Sequence, residues 1–316
     1  MPVIECRGLS KSFAATIGKR RVDSLQPLTM AVEEHEVFGF LGPNGAGKTT
    51  TIKLLTGLLH ASGGEARLFG EPVGNAKARA LLGYLPEHPY FYDHLTGMEI
   101  LDYVGRLFGL ASHERTKRAK RLLERVGLAH AADQRLRGYS KGMLQRIGIA
   151  QALINDPPLL ILDEPMSGLD PIGRKDVRDL MLELHAERKT IFFSTHILSD
   201  VEVVCDRIAI LDRGALVTLG PLSDLLHLAG TDVEIVLSGL TADGQAAISQ
   251  IPGTSIRDSG GRTVVRLPQE QAFTMLEVSK RHGASLLAMA PVRRTLEEIF
   301  MSRISSAPRT DSEGHP

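Results

Sequence analysis

The sequence predicts an α/β fold: a mainly parallel sheet covered by helices on both faces, followed by a small α+β accessory domain. Three observations carry that expectation. The apolar run Val37-Phe38-Gly39-Phe40-Leu41 leads into a glycine-rich loop, Gly42-Pro43-Asn44-Gly45-Ala46-Gly47-Lys48-Thr49, and then into a helical pattern. Farther along, Leu159-Leu160-Ile161-Leu162 reads as a buried strand that ends in Asp163-Glu164. Strand and helix patterns alternate again through residues 158–213, with strands at 159–162, 190–194 and 207–211.

The loop fits G-x-x-x-x-G-K-[ST] at every fixed position, which predicts a P-loop NTPase core. A helix pattern from Thr50 to Leu59 follows, with Ile52, Leu55 and Leu59 on one face. Strand, loop and helix in that order aim backbone N–H groups and a helix N-terminus at one point, a site for a polyphosphate. Lys48 is then expected to reach the β- and γ-phosphates, and the Thr49 hydroxyl to hold Mg²⁺. Two carboxylates at the end of an apolar strand are costly to bury without a purpose. Beside a phosphate loop, Asp163 suits Mg²⁺ and Glu164 suits the general base that takes a proton from attacking water.

A further element is Tyr139-Ser140-Lys141-Gly142-Met143-Leu144-Gln145-Arg146. Ser140 reads as the N-cap of a helix to Asn155, with Leu144, Ile147, Ala150 and Ile154 facing inward. Ser167-Gly168-Leu169-Asp170 follows the Asp-Glu pair, and His196 follows the strand Thr190–Ser194.

In this order the pieces GPNGAGKTT, YLPEHP, YSKGMLQR, LLILDEP, SGLD and STH resemble the ATP-binding subunit of an ABC transporter, over about residues 1–225. The resemblance implies a head-to-tail dimer, expected as a homodimer, with ATP between the phosphate loop of one copy and the signature segment of the other. It places Ser140 and Gly142 on the γ-phosphate in trans, His196 on it in cis, and Asp170 at the dimer contact. It also implies a separate transmembrane permease subunit and a place at the cytoplasmic face of the membrane. Glu87 stands where the family usually has a glutamine contacting Mg²⁺ or water; a carboxylate is also an oxygen ligand for a hard cation, so Glu87 joins Thr49 and Asp163 as a candidate metal ligand. The YSKGM form is similar to that of ATPases serving ABC-2-type exporters. Phe13 reads equally as a ring stacked on adenine and as an edge-strand aromatic. A soluble ABC ATPase outside transport and an ATP-gated regulator stay open as alternatives.

Composition narrows the classes. The balance of 37 basic and 37 acidic residues argues against a general grip on nucleic acid. Two cysteines cannot form a disulfide framework, which favours a reducing compartment. No secretory signal opens the chain, and no uncharged apolar run approaches the roughly 18 residues that span a bilayer. The chain is therefore expected not to cross the membrane itself.

A helical subdomain is expected over about 86–157, with helices Glu99–Leu110 and Glu114–Val126 before the one capped by Ser140. The basic residues of Glu114–Val126 read first as a solvated face, with anionic lipid or a partner as the alternative. After Gly220-Pro221 the pattern becomes β-α-β-β-α-β, a ferredoxin-like accessory domain over 226–304. Its hairpin turns about Ser259-Gly260-Gly261, and its second helix closes at Gly283. Thr295–Phe300 suggests a terminal helix, and 305–316 a polar, disordered tail.

Overall fold

The computed structural model describes residues 2–14, 22–228 and 231–293. The expected terminal helix Thr295–Phe300 and the tail 305–316 lie outside the described residues. The chain divides into two compact units, with the boundary between Leu222 and Ser223.

The N-terminal unit opens with β1 (Ile4–Phe13) and β2 (Val22–Val32), an antiparallel pair. Next come β3 (Val37–Leu41), α1 (Lys48–Leu55), β4 (Gly63–Leu68), β5 (Glu71–Pro72), α2 (Ala76–Ala80) and β6 (Leu82–Leu85). Strands β2-β1-β4-β5 form one antiparallel sheet. Helices α3 (Gly97–Leu107), α4 (Ser112–Arg125) and α5 (Lys141–Leu153) follow without an intervening strand. The chain then returns to alternation through β7 (Leu159–Asp163), α6 (Pro171–Ala186), β8 (Thr190–Thr195), α7 (Leu198–Val204), β9 (Arg207–Asp212) and β10 (Ala215–Pro221).

A six-stranded sheet of order β10-β9-β3-β8-β7-β6 is the spine of this unit. All its pairings are parallel except β10 with β9. Every residue of β3, β7 and β8 is buried, as expected of strands covered on both faces. Phe192 stacks on Phe38 at 5.6 Å between centroids and tilts against Phe40 at 5.2 Å, which ties β8 to β3. Because β3, β7 and β8 run in one direction, their C-terminal ends deliver Leu41, Asp163 and Thr195 to the same edge of the sheet. That edge is where ligands bind in open α/β sheets.

Several helix ends differ from the sequence expectation. Helix α1 starts at Lys48 rather than Thr50 and stops at Leu55, capped by Thr56 before Gly57 at φ 73°. Helix α3 begins at Gly97 because Thr96 and Glu99 exchange hydrogen bonds in a capping box, which makes Glu99 the third residue rather than the first. Helix α4 starts two residues early, at Ser112. In α5, Ile147, Ala150 and Ile154 are buried as expected, but Leu144 is half-buried while Gln145 is buried.

Helix α8 (Leu222–Leu228) leads to β11 (Thr231–Ser238), α9 (Ala242–Ser249), β12 (Ser255–Ser259), β13 (Arg262–Pro268), α10 (Ala272–Arg281) and β14 (Ser285–Arg293). The four strands make an antiparallel sheet of order β12-β13-β11-β14. Val233, Ile235 and Leu237 of β11 and Val265 and Leu267 of β13 alternate inward and pack with Ile248 and Met275 from the helices. Gly260-Gly261 turns the hairpin between β12 and β13, both at positive φ. Among the described residues, no helix is long and apolar enough to cross a membrane.

Candidate functional site

The loop between β3 and α1 bends back on itself because Gly45 and Gly47 take φ of 81° and 103°. At Gly47 a side chain is excluded twice over: a Cβ there would lie 2.6 Å from the Ser24 carbonyl oxygen. With no side chain in the way, the first N–H groups of α1 face a cleft of about 410 Å³. Loop residues 43–50, Ser24, Glu87, Glu164, Ser167 and His196 line this cleft. Ser24 joins it from β2 through a 2.8 Å hydrogen bond between its hydroxyl and that of Thr50.

Lys48 is buried, and its ammonium donates to the Gly42 carbonyl at 2.7 Å and the Pro43 carbonyl at 3.3 Å. The same Nζ lies 3.3 Å from Glu164 Oε1. Glu164 is 6% exposed, and its other oxygen accepts from His196 Nδ1 at 2.9 Å. The carboxylate is thus held between a buried cation and a half-exposed imidazole. Glu164 also adopts φ 48°, a conformation that costs a non-glycine residue about 1–3 kcal/mol. The contacts with Lys48 and His196 hold the side chain at the cleft in spite of that cost.

Asp163 lies deeper, 1% exposed. Its Oδ1 accepts from the Ser194 hydroxyl at 2.6 Å and faces the Thr49 hydroxyl at 3.5 Å. Its Oδ2 is buried without any hydrogen-bond partner. Burial pushes the Asp163 carboxyl above its ordinary range, while the bonds from Ser194 and Thr49 oppose that rise. An orphaned, desolvated carboxylate oxygen beside a threonine hydroxyl is the donor set a hard divalent cation would complete. The residues present therefore fit Mg²⁺ held by Thr49 and Asp163, with Glu87 on the cleft wall within electrostatic reach of Asp163.

The remaining expected site residues are placed elsewhere. Ser140 accepts from the Met143 N–H at 3.3 Å as the N-cap of α5, and both it and Gly142 lie outside the cleft lining. Asp170 caps α6 by accepting from the Gly173 N–H at 2.9 Å and is exposed. Phe13, 42% exposed, has Lys11 Nζ 5.3 Å from its ring centroid and lies outside the cleft lining. It pairs across the sheet with Val22, two residues from Ser24.

Two contributors escape sequence reasoning. Ser194 donates to Asp163 and accepts from the Glu164 N–H at 2.9 Å, so a single hydroxyl sets both carboxylate residues. Its signal was a hydroxyl in a strand buried throughout, which must find partners. Ser24 offered no such signal, because β2 is half exposed around it.

The family model for ABC transporters matches residues 25–167, which hold the phosphate loop, the α5 cap and Asp163-Glu164. An uncharacterized ABC transporter ATP-binding protein of Synechocystis sp. is 43% identical, over 98% of this chain and 87% of its own length. The Nod factor export ATP-binding protein I of Ralstonia nicotianae is 33% identical, over 95% of this chain and 93% of its own. A solved ATP-binding subunit of an ABC transporter superposes with a TM-score of 0.64 at 33% identity, covering 72% of this chain and 92% of that one.

Proposed function

The chain belongs to the ATP-binding proteins of ABC transporters, and from that premise we propose that two copies hydrolyse ATP to drive an exporter through a separate membrane subunit. One observation carries the catalytic part: buried Glu164 sits between Lys48 Nζ and His196 Nδ1, facing the cleft of the phosphate loop.

The triphosphate lies along the N–H groups of residues 42–50, in the positive field of the α1 N-terminus. Lys48 turns from its carbonyl partners toward the β- and γ-phosphates. Glu164 accepts a proton from the water that attacks in line, and Lys48 stabilises the charge that builds on the phosphoryl oxygens. His196, held through Nδ1, keeps the Glu164 carboxylate oriented and reaches the γ-phosphate with its free edge. Thr49, Asp163 and Glu87 would hold Mg²⁺, which would supply neutralisation of phosphate charge.

The position of Ser140 and Gly142 outside their own cleft supports a shared site, in which they meet the γ-phosphate held by the partner copy. Asp170 then lines the contact between copies, and Phe13 stands at the adenine end. The named relative that exports Nod factor supports the direction of transport. The relatives named as ATP-binding proteins of transporters support a peripheral subunit at the cytoplasmic face, recruited by its permease. Residues 1–225 act as the ATP-binding domain and 226–304 as an accessory domain without catalytic groups.

The test is size-exclusion chromatography of Glu164→Gln with ATP and Mg²⁺. The expected result is a nucleotide-dependent dimer that Lys48→Ala does not form. A monomer under all conditions would contradict the shared site.

A further inference from the structure

Glu87 brings to the cleft a charge with which no lysine or arginine among the described residues pairs. The basic group recorded near it is His88 Nε2 at 3.9 Å, on a side chain that is 84% exposed, and no described residue hydrogen-bonds to the Glu87 carboxylate. Among the described residues, Lys48 is the only lysine or arginine in the cleft lining, and Glu164 already holds its ammonium at 3.3 Å. Glu87 and Glu164 line the cleft, and Asp163 lies buried 3.5 Å from the hydroxyl of the lining residue Thr49. After burial, and against the Ser194 and Thr49 hydrogen bonds, the charges of Glu87 and Glu164 also raise the Asp163 carboxyl, so the field of Glu87 reaches the floor of the site.

Attraction and repulsion are therefore closely opposed in this cleft. The loop N–H groups, the α1 N-terminus and Lys48 draw in a triphosphate, whereas three carboxylates repel it. Free ATP meets Glu87 with no cation between them. The magnesium complex is less negative by the full charge of the dication, and it sets that cation among the carboxylates. A neutral amide at position 87 would keep an oxygen ligand and remove the repulsion.

We propose that Glu87 makes the cleft select metal-complexed ATP against free ATP. This rests on the reading of the cleft as the ATP site. The selection acts on binding, before any chemistry.

Equilibrium dialysis of labelled ATP against the wild type, Glu87→Gln, Glu87→Ala and Lys48→Ala, in excess Mg²⁺ and in EDTA, tests it. Both Glu87 variants are expected to bind ATP about tenfold or more tightly in EDTA than the wild type does. In Mg²⁺ the gain is expected to be smaller than in EDTA, because each variant also weakens the hold on the cation. Glu87→Ala guards against a new hydrogen bond from the glutamine amide: a gain seen with Gln but not with Ala overturns the proposal. So does an unchanged EDTA affinity, or an equal shift in both conditions. Lys48→Ala checks the underlying reading separately, since it should abolish binding in both buffers. A wild type whose Mg-ATP binding does not depend on Lys48 would remove that reading, and this inference with it.

Discussion

The two units spend their buried volume differently. In the N-terminal unit Glu36, Lys48, Asp163, Glu164 and Asp200 are all buried. Among the described residues of the C-terminal unit, the buried polar side chains are the uncharged Thr263 and Ser279. Glu36 is explained by its pair with Arg207 at 2.9 Å, and Asp200 by Arg178 at 3.2 Å. Lys48 and Glu164 instead line one cleft, and Asp163 reaches it through the Thr49 hydroxyl at 3.5 Å. Buried charge is expensive unless paired, so the contrast separates a unit built around chemistry from one built around ordinary apolar packing.

The largest expected effect tests the chemical side of that contrast. Glu164→Gln should lower phosphate release by about 10²–10⁴-fold while ATP affinity stays within a few-fold. Turnover close to wild type would remove Glu164 from the role of base. Next in size, Ile235→Ala in the accessory core should cost the C-terminal unit about 2–5 kcal/mol in a urea titration and leave ATP affinity unchanged. A coupled loss of ATP binding would show that the units are not separable in function. Smaller again is Ser194→Ala, which strips Asp163 and the Glu164 N–H of their common partner and should cost about 1–3 kcal/mol, with a parallel fall in turnover. Its counterpart is Gln245→Ala, which removes bonds to Asp258 and to the Thr263 hydroxyl but leaves those two bonded to each other. That change should stay within about 0.5 kcal/mol in the same titration, with turnover unaffected. Equal effects from Ser194 and Gln245 would erase the distinction between the units.

The cleft was more legible in the sequence than the helices around it. Gly47, Lys48 and Thr49 announce themselves because the close approach of the Ser24 carbonyl and the turn before α1 tolerate few other residues. Asp163 and Glu164 stand out as charges at the end of an apolar strand, where burial demands a reason. Helix starts were less legible. Thr96 caps α3 by exchanging bonds with a residue three positions on, a tertiary-independent cue that apolar spacing alone passes over. Gln145 takes a buried position that the apolar stripe assigned to Leu144, because α5 packs on more than one side and its burial no longer follows a single face. Ser24 reaches the cleft only through sheet pairing and the Thr50 hydroxyl, a long-range contact that leaves no local trace.

The central claim is that ATP is hydrolysed at sites shared between two copies, with Glu164 as base. The most direct measurement is phosphate release per mole of purified chain, with saturating Mg-ATP, across a dilution series that spans the monomer–dimer transition. The account predicts specific activity that rises with protein concentration as dimer forms, and that is lost at every concentration in Glu164→Gln. Activity that stays constant per chain while the protein dissociates to monomers would contradict it.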